Sequence, residues 1–149
     1  MSGDWRWLID PIFHRLDGVL SIVIFGSFAR GDVKEGSDLD VLIVVKDLQE
    51  EDRLKLSAIL SRSIEPPSGF PRPASPVVLT ADEVKKHPPI LLDMIEDSII
   101  VYDEGNFMKR ILEDLKEKLS EIGAKKVKTE EGWYWILKPD TELGEVVEI

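Results

Sequence analysis

Apolar positions recur along this chain at two spacings, and each change of spacing marks a new element. Trp5, Leu8, Ile9, Ile12, Phe13 and Leu16 repeat as on one face of a helix, with Asp4 placed as an N-cap. Pro11 removes a hydrogen bond from that helix, so a shorter one capped by Asp10, with Pro11 in its first turn, is the rival reading. Gly18 ends either version. Val19 to Phe25 is then a nearly unbroken apolar run rich in β-branched residues, the pattern of a central strand buried on both faces. Gly26-Ser27 follows at once, and Phe28-Ala29-Arg30 opens a short helical turn. After a polar loop over 32–37, Leu39 to Val45 repeats the buried-strand pattern.

Downstream the pattern alternates. Glu50 to Ile64 reads as a helix with Leu56, Ile59, Leu60 and Ile64 inward. Residues 66 to 76 hold five of the nine prolines and form an irregular loop. Val77 to Thr80 is a short strand, and Ala81-Asp82-Glu83 suits the first turn of a helix. Ile90 to Glu96 makes a further helical turn or two, and Ser98 to Tyr102 a strand. Phe107 to Ile122 is the longest amphipathic helix, stopped by Gly123, and Trp133 to Leu137 a late strand before a tail from Lys138-Pro139. Strands alternating with helices predict one α/β (α+β) domain over residues 1–149, a mixed β-sheet flanked by helices. Its core spans about residues 1–102, with 103–149 as a C-terminal helix and strand extension.

Composition narrows the chemistry. There is no cysteine, which excludes a disulfide framework, a thiolate zinc site and a Cys nucleophile. Nineteen Lys and Arg against 29 Asp and Glu give a net charge of −10. Such a surface repels a polyphosphate backbone, so extended nucleic acid is not the expected partner, whereas a nucleotide carrying its own divalent cation is compatible. No apolar run approaches the ~20 residues that cross a bilayer, and Met1-Ser2-Gly3-Asp4 does not begin a signal peptide. The chain reads as soluble and cytoplasmic. One Gln, one Asn and abundant Glu and Lys are the composition of a thermophile protein.

The chemistry concentrates in Gly26-Ser27-Phe28-Ala29-Arg30-Gly31 and Ser37-Asp38-Leu39-Asp40. A strand that passes through Gly-Ser into a helical turn presents free backbone N–H groups to an anion, and the Ser27 hydroxyl adds a donor. Asp38 and Asp40, two apart where a strand begins, project from one face with Cα atoms ~6.6 Å apart. Together they can share a hard cation such as Mg²⁺ or Mn²⁺, which takes one or two carboxylates plus substrate phosphates. Each part alone has a plainer explanation: Gly-Ser is usually just a turn, Asp-x-Asp usually solvated, and a lone arginine usually a surface residue. Their conjunction between two buried strands does not. No P-loop is present.

These residues resemble the signature of the DNA polymerase β-like nucleotidyltransferase superfamily, and in so short a chain its minimal archaeal and bacterial members. The motif covers residues 26 to 40, and a compatible element order extends to about Tyr102. The resemblance implies the nucleotidyltransferase fold, metal at Asp38 and Asp40, and nucleotide phosphates at Gly26 and Ser27, with Arg30 and Ser37 supporting them. It implies transfer of a nucleoside monophosphate from an NTP, ATP first among them, to an acceptor. It also implies a helical HEPN-type partner whose tyrosine can be that acceptor. One position departs from the pattern: active members place a third carboxylate on a following strand, and Val77 to Thr80, preceded by Ser75-Pro76, carries none. Asp82 and Glu83 are the nearest acids, expected to fall short beyond the far end of that strand. A binding module without catalysis is therefore the second reading, and a purely structural domain the last.

His14 and His87 stand near no ligand-like cluster, and Trp133, Tyr134 and Trp135 read as core or interface aromatics. Lys125, Lys126 and Lys128 read as a solvated cluster beside a helix end. A homodimer contact and a lid remain open alternatives for residues 103 to 149.

Overall fold

A computed structural model describes residues 4–129 and 132–137. The two apolar runs form β1 (Val19–Phe25) and β2 (Leu39–Val45), antiparallel neighbours at the centre of a four-stranded sheet. β3 (Ala74–Thr80) runs parallel to β2 on one side, and β4 (Ile99–Asp103) antiparallel to β1 on the other, giving the order β3-β2-β1-β4. The inner positions follow from composition, because strands apolar on both faces need cover on both. β3 begins three residues before the expected Val77. Pro76 pairs with Val41 without ending the ladder, since an edge strand tolerates a proline whose missing N–H faces away from the sheet.

Helices cover both faces. α1 (Arg6–Arg15) takes the longer of the two expected forms, with Pro11 inside it. Asp4 serves its first turn, accepting from the Arg6 amide at 3.0 Å, although Trp5 is the residue at the cap. Leu8 and Ile12 of α1, with Leu60 and Ile64 at the end of α3 (Arg53–Ser63; α2 follows below), pack on Ile22, Ile24, Leu39, Val41 and Ile43. On the opposite face, Val23, Phe25, Leu42 and Val44 meet Val84 of α4 (Ala81–Lys85), Leu91 and Met94, and the apolar side of α5 (Phe107–Glu121). Leu91 belongs to a 3-10 turn over Pro89–Asp93, a shorter helical piece than the sequence pattern suggested.

The C-terminal region corrects one expectation. Lys125–Thr129 is a strand, β5, paired antiparallel with β6 (Gly132–Ile136) in a separate hairpin. Lys126 is not a solvated cation: its side chain is 9% exposed and its ammonium reaches Glu96 at 3.2 Å. The Trp135 indole donates to the Leu92 carbonyl at 3.4 Å, so the hairpin lies against the 3-10 turn. The expected tail from Lys138-Pro139 lies outside the described residues. Among the described residues no helix is long and apolar enough to cross a membrane.

Candidate active site

β1 runs straight into α2 (Gly26–Arg30), a single turn closed by Gly31 in the left-handed region. The Gly31 amide donates to the Phe28 carbonyl and the Asp32 amide to that of Ser27, which satisfies the far end of the turn. Its near end carries amides with no intrahelical acceptor. Gly26 has φ +73°, and a Cβ there would lie 3.0 Å from Asp40 Cγ and overlap its Oδ2. Glycine is thus required twice, for the backbone angle and for the close approach of the Asp40 carboxylate. Phe28 holds the turn from the other side, stacked on Phe70 with centroids 4.8 Å apart. Trp7, at 4.9 Å from Phe70, and Trp5 complete that cluster, which ties α1, α2 and the proline loop together.

Asp38 is exposed just before β2, and Asp40 is half-buried within it. Asp40 pairs with Phe25 on one side and with Ser75 on the other. Strand alternation places it on the face shared with Leu42 and Val44, beneath the Pro89–Asp93 turn. Neither carboxylate has a hydrogen-bond donor or ion-pair partner among the described residues. Burial raises the Asp40 pKa above the ordinary carboxylate range, the charges of Asp38 and then Asp93 raise it further, and Arg30 opposes the shift. A half-buried, unpartnered carboxylate beside another acid fits a hard divalent cation, which would supply the missing positive charge. Among the described residues no three potential ligand side chains stand close enough to hold a metal ion together. Two carboxylates would leave the rest of such an ion's coordination to other oxygens.

Arg30 leaves the end of α2 and reaches Asp93 at 2.8 Å, with both side chains mostly covered. It also touches Asp32 at 3.3 Å. Burial raises the Asp93 pKa, and the guanidinium works against that. Asp93 is the acid that sequence reasoning missed. It sits inside an amphipathic segment where nothing local distinguishes it, and only the fold carries it over β2.

The remaining candidates separate. Ser27 lies in the first turn of α2, partly exposed. Ser37 is turned into its own loop, its hydroxyl accepting from the Lys34 amide at 3.0 Å. Asp82 and Glu83 fall short as expected. β2 and β3 are parallel with Asp40 opposite Ser75, so α4, which starts at Ala81, begins six residues, ~20 Å, further along. Glu83 instead closes a capping box with Thr80 and pairs with Arg53 at 2.9 Å.

The architecture is thus a mixed four-stranded sheet with helices on both faces, a Gly-Ser turn leaving its central strand and an acid pair where the next begins. The nucleotidyltransferase domain model matches residues 9–131, and the chain belongs to that family. It is 28% identical over 119 residues to a Methanocaldococcus jannaschii protein named "Putative protein adenylyltransferase MJ1305", covering 78% of this chain and 81% of that one. A second protein of the same organism, "Putative protein adenylyltransferase MJ0141", is 48% identical over 42 residues, 28% of this chain and 42% of that one. The fold is shared with a chain from the crystal structure of a toxin–antitoxin with AMP-PNP (TM-score 0.56, 13% identity, covering 81% of this chain and 94% of that one). It is shared too with one from a mutant of the toxin–antitoxin MntA-HpeT (TM-score 0.54, 12% identity, covering 82% and 94%). The family generally uses a divalent metal.

Proposed function

We propose that this protein is a Mg²⁺- or Mn²⁺-dependent adenylyltransferase, moving AMP from ATP to a hydroxyl group of another protein. The observation that carries this reading is Asp40, half-buried, without a partner among the described residues and packed against the Gly26 backbone, with Asp38 two residues before it. Asp38 and Asp40 would hold the cation, which when bound would supply positive charge to the phosphoryl oxygens. The amides of Gly26 and Ser27, with the Ser27 hydroxyl, face the nucleotide phosphates, and Arg30 supplies positive charge beside them. The acceptor hydroxyl oxygen bonds to the α-phosphorus. The bond from that phosphorus to the bridging oxygen breaks, its electron pair leaves with pyrophosphate, and the hydroxyl proton passes to solvent. Most of the rate gain comes from alignment and charge compensation.

Family membership supports the reaction class, and the name of the M. jannaschii relative supports adenylyl transfer to protein. The helical HEPN-type protein implied by the motif's resemblance is the acceptor to test first. The test combines ATP labelled at the α-phosphate, Mg²⁺ and that partner. Label on the partner with matching pyrophosphate release, lost in Asp38→Asn and Asp40→Asn, is the expected result. Transfer that persists in both variants would overturn the assignment. Ser75 opposite Asp40 favours a second reading, a nucleotide-binding module without turnover. Metal-dependent ATP binding with no pyrophosphate release would select it.

A further inference from the structure

The register of β2 and β3 puts Ser75 beside Asp40, on the face that carries the acid pair. A serine hydroxyl there supplies no negative charge. A different carboxylate overlooks the same face from above. Asp93 ends the 3-10 turn whose Leu91, with neighbouring Met94, packs against Leu42 and Val44, the residues that follow Asp40 on that side of β2. Its side chain is 23% exposed and paired with Arg30 Nη1 at 2.8 Å. Arg30 belongs to the turn that begins at Gly26, so one guanidinium links Asp93 to the phosphate-facing turn.

We propose that Asp93 does the work of the carboxylate absent from β3. In the free protein it is held by Arg30; with nucleotide bound, Arg30 turns to the phosphates and Asp93 joins Asp38 and Asp40 around the divalent cation. This rests on the adenylyltransferase reading and names a residue that reading does not use. The charges favour the exchange. In the free protein the Arg30 guanidinium is paired with Asp93 and leaves Asp38 and Asp40 without a partner among the described residues, whereas the cation–nucleotide complex brings two positive charges for the acids and an anion for Arg30. Arg30 suits this role because its planar fork can pair with carboxylate or phosphate. The second support for the loaded position is the hairpin. Trp135 holds the turn itself at Leu92, and Lys126 the segment just after it at Glu96, which keeps Asp93 over the sheet.

Binding of Mn²⁺, followed by its electron paramagnetic resonance, tests this without turnover. The nucleotide probe is α,β-methylene ATP, whose bridge between the α and β phosphorus atoms cannot be cut. With that nucleotide present, Asp93→Asn should weaken Mn²⁺ binding by about tenfold or more. Ser75→Asp added to Asp93→Asn should recover most of the loss, a rescue that a merely structural Arg30–Asp93 pair would not allow. Without nucleotide, Arg30→Gln should strengthen Mn²⁺ binding by freeing Asp93, and Asp93→Asn in that background should abolish the gain. That comparison decides the matter even where Asp93→Asn alone folds poorly. Asp93→Asn binding Mn²⁺ like the parent, or Arg30→Gln giving no gain, overturns the proposal. Asp38→Asn and Asp40→Asn separate the two levels. If they abolish binding while Asp93→Asn does not, the Asp93 role alone falls; if they too leave it unchanged, the metal site falls with it.

Discussion

Gly26 and the Asp40 carboxylate fit because one has no side chain where the other lies. An alanine at 26 must hold a left-handed backbone, which costs about 1–2 kcal/mol for a residue with a Cβ. It must also displace the acid, since the added carbon would overlap Asp40 Oδ2. Gly26→Ala is therefore expected to lower the unfolding free energy by about 1–3 kcal/mol in urea titrations, and to weaken Mn²⁺ binding. A lower stability with unchanged Mn²⁺ binding would show that Asp40 is not part of the metal site. Asp40 carries its own prediction. Its pKa in the folded chain is raised, by burial first and then by Asp38 and Asp93. The folded state thus holds its proton more tightly than the unfolded one, and stability falls as pH rises from the ordinary carboxylate range through the raised value. Asp40→Asn removes that loss. In the presence of a chelator it should exceed the parent in melting temperature at pH 7 and match it near pH 3. Added Mn²⁺ should then stabilise the parent and leave the variant unmoved, and equal responses would argue against a cation at Asp40.

Elements are fixed to one another by a few carboxylates that lie outside the candidate site. Asp103, at the end of β4, accepts from the Ser21 hydroxyl at 2.6 Å and from the Met108 and Lys109 amides at 2.8 and 3.0 Å. It joins β1 to the first turn of α5, and Ser21 is fully buried. Asp103→Ala leaves that hydroxyl and two helix amides without their acceptor, so a loss of about 1–3 kcal/mol is expected. Ser21→Ala in the same background should add little, because its partner is already gone; additive losses in a double-mutant cycle would mean the hydroxyl has another acceptor. Glu83 ties β3 and α4 to Arg53 of α3. Its pKa is lowered, first by the Thr80 amide and then by Arg53, against some burial. The sign is opposite to that of Asp40: the contribution is present above the ordinary glutamate pKa and fades as pH falls through the lowered one. Glu83→Gln should flatten the acid limb of the stability profile below about pH 4.5. At this scale the sequence was legible where a strand is apolar on both faces, as with β1 and β2. It was not legible in β5, where Lys-Lys-Val-Lys-Thr buries a lysine stem and pairs its ammonium with acids from another segment. Nothing local distinguishes such a lysine from a solvated one.

Across the whole molecule, the candidate site is built from both near and distant parts of the chain, and that division sets what could be read in advance. Gly26, Ser27, Arg30, Asp38 and Asp40 lie within one strand–turn–strand unit, so their proximity follows from two adjacent strands and needs no other contact. Asp93 reaches the same face only because β4 returns beside β1 and carries the preceding turn over the sheet. The C-terminal hairpin comes from further still, and its hold on that turn gives the last prediction. Trp135 donates to the Leu92 carbonyl, and Trp135 and Leu137 pack against the cluster beneath α5. Trp135→Phe keeps most of the apolar area and removes the donor, at an expected cost of about 0.5–1.5 kcal/mol. The more telling measurement is amide hydrogen exchange over residues 89–97. If the hairpin steadies the turn, protection there should fall well before protection in β1 and β2, because loosening a peripheral segment does not open the central strands. Mn²⁺ binding with α,β-methylene ATP should weaken in parallel, since Asp93 rides on that turn. Exchange that changes uniformly through the chain would show instead that Trp135 contributes to global stability and leaves the turn as it was.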